Sequence, residues 1–356
     1  METSPEFELL AQCCRQAFAA RQQDELRIQT SKIDWARFLR LARFHRVQGL
    51  AWASLAPTRD ILPPAIAEAL ATDASEIAAS NLRAVKQCRE LADSFERADI
   101  GVLFVKGLTL GVLAYGNPAL KMGWDIDLLI DPADIERAAD RLDELGYRLS
   151  TPQRRRTLRS WHERRKESVW SKEGGLPLEL HTRLADNPQL IPGITIASPT
   201  QSVEVADGIE LPTLGADELF AYLCVHGASS AWFRLKWICD LAAILDGLPP
   251  AEIGRLHGRS LQLGAGRASG QALLLADRIF GTLGESSLRS ELERDSRTRW
   301  LAAGAFRQLA GRTDPREPTA MPFGTLRIHL TQLLLKPGPR FKLGELARQG
   351  RDVLSR

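Results

Sequence analysis

The sequence predicts an α+β protein: a small mixed sheet with its own helices, set between two helical regions. Three observations lead there. Apolar residues recur at helical spacing through roughly the first hundred positions, short apolar runs bounded by glycine and proline replace them from Gly101, and helical spacing returns from about Gly215. The corresponding division is residues 1–98, 99–213 and 214–356. A chain of 356 residues is long for one core, so two or three packed units are expected.

The elements follow in order. Asp34 stands where it can cap a helix whose Trp35, Phe38, Leu39, Ala42 and Val47 fall near one face. Pro57, Pro63 and Pro64 interrupt, and a long helix runs from about Ala65 to Ala98, with room for a break, turning Ile77, Leu82, Val85, Cys88, Leu91 and Phe95 inward. Val102–Val105 reads as a buried strand, followed by a short helix to Tyr115 and a turn at Gly116-Asn117-Pro118. Asp127–Ile130 is a second buried strand. Asp131-Pro132 opens a helix that Gly146 closes. Strands are expected at 147–150, 168–171 and 176–181, with loop and one or two weak strands over 192–213. Helices are expected at 216–227, 231–246, 249–263, 267–281 and 287–311, and a mixed amphipathic tail from Phe323.

Composition narrows the functional classes. The net charge of +3 is small and dispersed, and does not by itself argue for a nucleic-acid partner, which usually shows a concentrated basic excess. Cys13, Cys14, Cys88, Cys224 and Cys239 show no pair at zinc-knuckle or redox spacing, so reduced thiols in a cytoplasmic protein are expected. Met1–Phe7 is not a basic-then-apolar leader. No apolar run nears the roughly 18 residues of a membrane span.

Chemistry concentrates at Asp125-Ile126-Asp127. Alternate residues of a strand share a face, so both carboxylates are expected to point one way and Ile126 into the core. Like charges this close repel unless a cation lies between them, and Mg²⁺, or Mn²⁺, suits carboxylates plus substrate phosphates. Glu179, in Leu178-Glu179-Leu180-His181, is the best third carboxylate for a two-metal clamp, and it shares a face with His181. Asp-x-Asp alone also fits a cap or turn. The preceding strand–glycine–helix unit and the strand-borne Glu179 favour the metal reading.

Lys106-Gly107, between a buried strand and a helix start, is a candidate phosphate site, although an ordinary strand-to-helix turn has the same spacing. Lys121, just before the acidic triplet, could reach a triphosphate or be only solvated. Arg154, Arg155, Arg156, Arg159, Arg164, Arg165 and Lys166 form a basic run around Trp161 and His162. It suits an acidic or phosphorylated acceptor, or nucleic acid, but such runs are more often solvated faces. His226, Arg234, Lys236 and Asp240 are candidates to line a cleft from the helical side, among core residues Trp232, Trp237 and Leu241.

In this order, Asp34-Trp35…Phe44-His45-Arg46-Val47, Val105-Lys106-Gly107…Leu110…Tyr115, Asp125-Ile126-Asp127-Leu128-Leu129-Ile130, Gly146-Tyr147, Leu178-Glu179-Leu180-His181 and Trp232–Leu241 resemble the bacterial uncharacterised nucleotidyltransferase family. That family lies in the superfamily of DNA polymerase beta. The resemblance spans about residues 30 to 250. It implies a nucleotidyltransferase-like core at 99–213, metals on Asp125, Asp127 and Glu179, and nucleotide contacts at Lys106, Gly107, Lys121, His181 and Arg234. Two departures stand out: Lys106-Gly107 replaces the superfamily's Gly-Ser pair, and Lys121 stands where the family often has arginine and so lacks the bidentate fork. The activity implied is transfer of a nucleoside monophosphate from an NTP to a hydroxyl of a small-molecule, sugar or peptide acceptor, in a bacterial biosynthetic or peptide-modification pathway. A nucleotide-sugar-dependent glycosyltransferase and a degenerate binding scaffold are the competing readings.

Overall fold

The computed structural model describes residues 3–18, 32–311, 314, 316–320 and 324–354. It has the expected α+β class, with two compact units: residues 1–75 with 220–356, and residues 76–219. The two helical flanks, which the sequence presents as separate regions, therefore share one unit. Phe323, where the sequence opens its amphipathic tail, lies outside the described residues.

The helical unit holds α1 (Pro5–Phe18), α2 (Trp35–His45), α3 (Gln48–Leu55), and the start of α4 (Pro64–Arg97). Asp34 caps α2 as expected, accepting the Arg37 N–H at 2.9 Å. The buried face of α2 is Phe38, Leu41, Ala42 and His45, so Leu41 takes the inward place expected for Leu39. The C-terminal part comprises α8 (Ala216–Ser229), which begins in the other unit, α9 (Leu235–Leu245), α10 (Pro250–Gln262), α11 (Ala268–Phe280), α12 (Ser287–Arg294) and α13 (Ser296–Leu309), then α14 (Leu326–Gln332) and α15 (Pro339–Leu354). The helix expected from residue 231 starts four residues late. Ala231 and Trp232 have left-handed backbone (φ 49° and 54°), and the Trp232 N–H caps α8 at the Gly227 carbonyl. The indole lies over Gly227, where a Cβ would stand 2.3 Å from the ring, so only glycine fits there. The single helix expected over 287–311 is two, because Asp295 is extended and caps α13 through the Arg297 N–H.

The second unit is built on a five-stranded mixed sheet. Its strands are β1 (Val102–Phe104), β2 (Ile126–Ile130), β3 (Arg148–Thr151), β4 (Glu167–Ser171) and β5 (Leu178–His181), in the order β1-β2-β5-β4-β3. Only the β2–β5 pair is parallel. Ile126, Leu128, Ile130, Leu178, Leu180 and Trp170 point to one face, where Val85, Cys88, Leu91 and Phe95 of α4 and Ile135, Ala138, Ala139 and Leu142 of α6 (Ile135–Glu144) join them in one core. The long helix α4 runs unbroken, and Leu82, expected inside, is 72% exposed; Asn81 and Ala84 take the inward places. Residues 200–214, read as loop with weak strands, form a hairpin of β6 (Thr200–Ala206) and β7 (Ile209–Leu214). The signal for it was present: Asp207-Gly208 is a two-residue hairpin turn, flanked by inward Val203, Val205 and Leu211.

All five cysteines are buried and unpaired by disulfides. Burial pushes the Cys88 thiol up to about 12, so almost no thiolate forms at neutral pH. The native protein is expected to show less than one thiol reacting promptly with a disulfide reagent, and five after denaturation; prompt native reaction of two or more would contradict this packing.

Candidate metal centre

The parallel register of β2 and β5 sets Asp127 directly beside Glu179, and Leu129 beside His181. On the other side of β5, Glu167 pairs with His181 and Val169 with Glu179. Strand alternation therefore puts Asp127, Glu179, His181 and Glu167 on one face, opposite the α4–α6 core. Two amide side chains of α4 hold the segments that lead into these strands. Asn81 donates to the carbonyls of Pro118 (2.7 Å) and Lys121 (2.9 Å), ahead of β2. Gln87 donates to the Leu176 carbonyl at 2.9 Å and accepts the Leu176 N–H at 3.0 Å, ahead of β5.

The cluster is a dense alternation of charge. Lys106 Nζ lies 2.7 Å from Asp127 Oδ1, and His181 Nε2 lies 3.1 Å from the same oxygen and 3.4 Å from Glu179 Oε2. The other ring nitrogen, Nδ1, faces Glu167 Oε2 at 3.4 Å, and Lys166 pairs with Glu167. Asp127 and His181 are almost wholly buried, and Glu179 and Glu167 are about a quarter exposed. Burial raises a carboxyl's pKa, but Lys106 and His181 outweigh it and hold Asp127 well below the usual carboxylate range. Glu179 goes the other way. Burial lifts it, His181 opposes, and the charges of Asp127 and Glu167 add to the lift. For Glu167, Lys166 and His181 overcome burial and lower the pKa. His181 is raised against its burial by hydrogen bonds to Asp127 and Glu179.

Asp127 also lines a pocket at the β1–α5 turn, together with Lys106, Gly107, Asp125 and Asn81. Glu179 and His181 lie outside that lining, so the Asp127–Lys106 pair is where pocket and cluster meet. Asp125 is on the bend just before β2 rather than on the strand. Among the described residues, the group whose ligand atoms lie within 4.8 Å of one another is Asp127, Glu179 and His181. Gly107 precedes α5 (Leu108–Tyr115) with φ 67° and ψ −122°, a backbone that favours glycine. The Thr109 hydroxyl on α5 is engaged with backbone, donating to the carbonyls of Phe104 and Lys106.

The other expected residues are placed differently. Lys121 is held at its carbonyl by Asn81. Arg234 belongs to the helical unit, where it is buried, stacks on Phe44 and Phe233, and bonds to the Phe44 carbonyl and Glu317. His226 packs against Tyr222 and Trp237, and Trp232 and Leu241 are core. The basic run divides. Arg154, Arg156, Arg159 and Arg164 are exposed, whereas Arg155 clamps Glu136 and Asp140 of α6 and Lys166 serves Glu167. Glu167 was hidden by that run: the sequence begins the strand one residue later and reads its neighbours as a charged stretch.

A family model described as an uncharacterised nucleotidyltransferase matches residues 31–281. This chain belongs to that nucleotidyltransferase family. The match runs past the stretch that carries the motifs, through the end of α11. No curated protein matches the chain. No helix of the described residues is long and apolar enough to cross a membrane. The donor set could hold a divalent ion: two carboxylates and an imidazole converge from adjacent strands, with Lys106 paired to Asp127.

Proposed function

We propose that the protein transfers a nucleoside monophosphate from an NTP to a hydroxyl of a small-molecule, sugar or peptide acceptor. The observation that carries this reading is the pairing of Asp127 with Glu179 on adjacent parallel strands, with Lys106 bonded to Asp127 at the head of the β1–α5 turn. A divalent ion, Mg²⁺ or Mn²⁺, would be held by Asp127 and Glu179, with Asp125 on the pocket side, and would supply charge neutralisation for the triphosphate. Lys106 would turn from Asp127 to the phosphates, assisted by the backbone amides after Gly107. Glu179, whose carboxyl pKa is raised above its usual range by burial, would take the acceptor's proton as the acceptor oxygen attacks the α-phosphorus and pyrophosphate leaves.

A second reading is a binding scaffold of transferase ancestry. It is favoured by the internal neutralisation of Asp127 by Lys106 and His181, and by the engagement of the Thr109 hydroxyl with backbone. Calorimetry with each NTP and Mg²⁺ or Mn²⁺ separates the two. Metal-dependent nucleotide binding that falls more than tenfold in Glu179→Ala is expected; absence of any nucleotide binding would leave the scaffold.

A further inference from the structure

Resting on the metal site proposed above, we infer that His181 is itself a metal ligand, oriented by Glu167, and that the centre is a mixed nitrogen–oxygen site preferring a first-row ion such as Mn²⁺ over Mg²⁺. Three features lead there. The first is direction: Nε2 of a fully buried imidazole points between two carboxylates, 3.1 Å from Asp127 Oδ1 and 3.4 Å from Glu179 Oε2. Neighbouring donors on an octahedral ion with bonds of about 2.1 Å stand about 3 Å apart, so these separations fit one coordination shell without moving either strand.

The second is the far side of the ring. Metal-bound histidines give their other N–H to a carboxylate or carbonyl, which fixes the ring. Here Nδ1 has no hydrogen bond of good geometry, and Glu167 Oε2, paired with Lys166, lies 3.4 Å away. A small rotation of the Glu167 carboxylate completes the carboxylate–histidine–metal arrangement. Third, the Lys106 ammonium sits on Asp127 Oδ1 at 2.7 Å, so a positive charge already rests on one of these donors. A metal ion would take over that place as Lys106 moves to phosphate. Imidazole is a poor partner for Mg²⁺, which holds its waters and oxygen ligands, and a better one for transition ions.

Mn²⁺ bound to the full-length protein, read by pulsed electron spin-echo spectroscopy, tests this. Nitrogen modulation is expected, and its pattern should change when the protein is labelled with ¹⁵N-histidine, a comparison that needs no variant. Mn²⁺ should bind at least about tenfold more tightly than Mg²⁺. Glu167→Gln should weaken Mn²⁺ by about 10–100-fold while the nitrogen signal persists, and His181→Gln should abolish that signal. Mn²⁺ bound with no histidine nitrogen coupling would overturn the role of His181 and leave a carboxylate metal site standing. Failure to bind either ion would overturn both that role and the proposed transferase.

Discussion

Asp127→Asn is expected to lower nucleotide transfer by more than about 100-fold, the loss that removing even an outer partner of a metal ligand can cause. It should also weaken the sheet around it. Asp127 is almost fully buried and answers both Lys106 and His181. Removing one member of a buried pair costs about 3–5 kcal/mol, because the other charge is left unanswered. Lys106, with a side chain 16% exposed, reaches some water, so the lower end of that range is expected. Hydrogen exchange at the amides of β2 and β5 would read the change locally, where a global melting curve of two units would blur it. The companion variant Lys106→Met separates the two effects. Asp127→Asn with Lys106→Met should recover protection lost in Asp127→Asn alone, yet regain no transfer activity. Recovery of neither, or wild-type turnover in Asp127→Asn, would contradict the role given to this carboxylate.

The helical unit should carry an acid-sensitive element of similar size. His45 is fully buried. Its Nδ1 accepts the Leu235 N–H at 3.2 Å, which requires that nitrogen unprotonated. Burial first, and the nearby Arg234 guanidinium second, depress its pKa from 6.5 to about 3. In the unfolded chain the imidazole takes a proton near pH 6.5, and in the fold it resists until about pH 3. Stability contributed by neutral His45 is therefore complete above the unfolded value and is lost as pH falls through that window. The slope is up to about 1.4 kcal/mol per pH unit, and the total about 4–5 kcal/mol. In His45→Asn, whose amide oxygen can accept the same N–H, unfolding of α2 and α9 should lose that extra slope between pH 6 and pH 4. Parallel pH profiles for the two proteins would show that His45 titrates normally.

How much of this was legible in the sequence depends on range. The strand β2 announced itself by the apolar run Leu128-Leu129-Ile130 after Asp127, and Glu179 by its place between Leu178 and Leu180; both are local patterns that survive folding. Asp125, expected to share a strand face with Asp127, lies on the bend one residue before the strand begins at Ile126. Glu167 and the service of Lys166 were obscured because a run of like charges reads as solvent-facing, and only the antiparallel register with β5 turns Glu167 toward His181. Asn81 and Gln87 read as polar positions on a helix, and nothing local tells which backbone they will grip. Arg234 lay in a segment rich in aromatics and charge that suits a cleft. Its partners, the Phe44 carbonyl and Glu317, are distant in sequence in both directions. Pattern finds elements and faces; pairings across long stretches of chain need the fold.

The one parallel pairing in the sheet bears on how the protein acquires its shape. Asp127 and Glu179 are neighbours in space but roughly fifty residues apart in the chain, and the intervening segment supplies α6, β3 and β4 before β5 returns to dock between β2 and β4. A hairpin closes early because its loop is short, whereas this closure must wait for its own contents to assemble. The pairing of the carboxylates thus carries a larger closure entropy than a hairpin's and is expected to form after the neighbouring β4–β5 hairpin. Their mutual repulsion is met by Lys106 and His181, which stand at the turn after β1 and on β5 itself. A nascent or partly folded chain would accordingly have no assembled centre with which to capture metal or nucleotide.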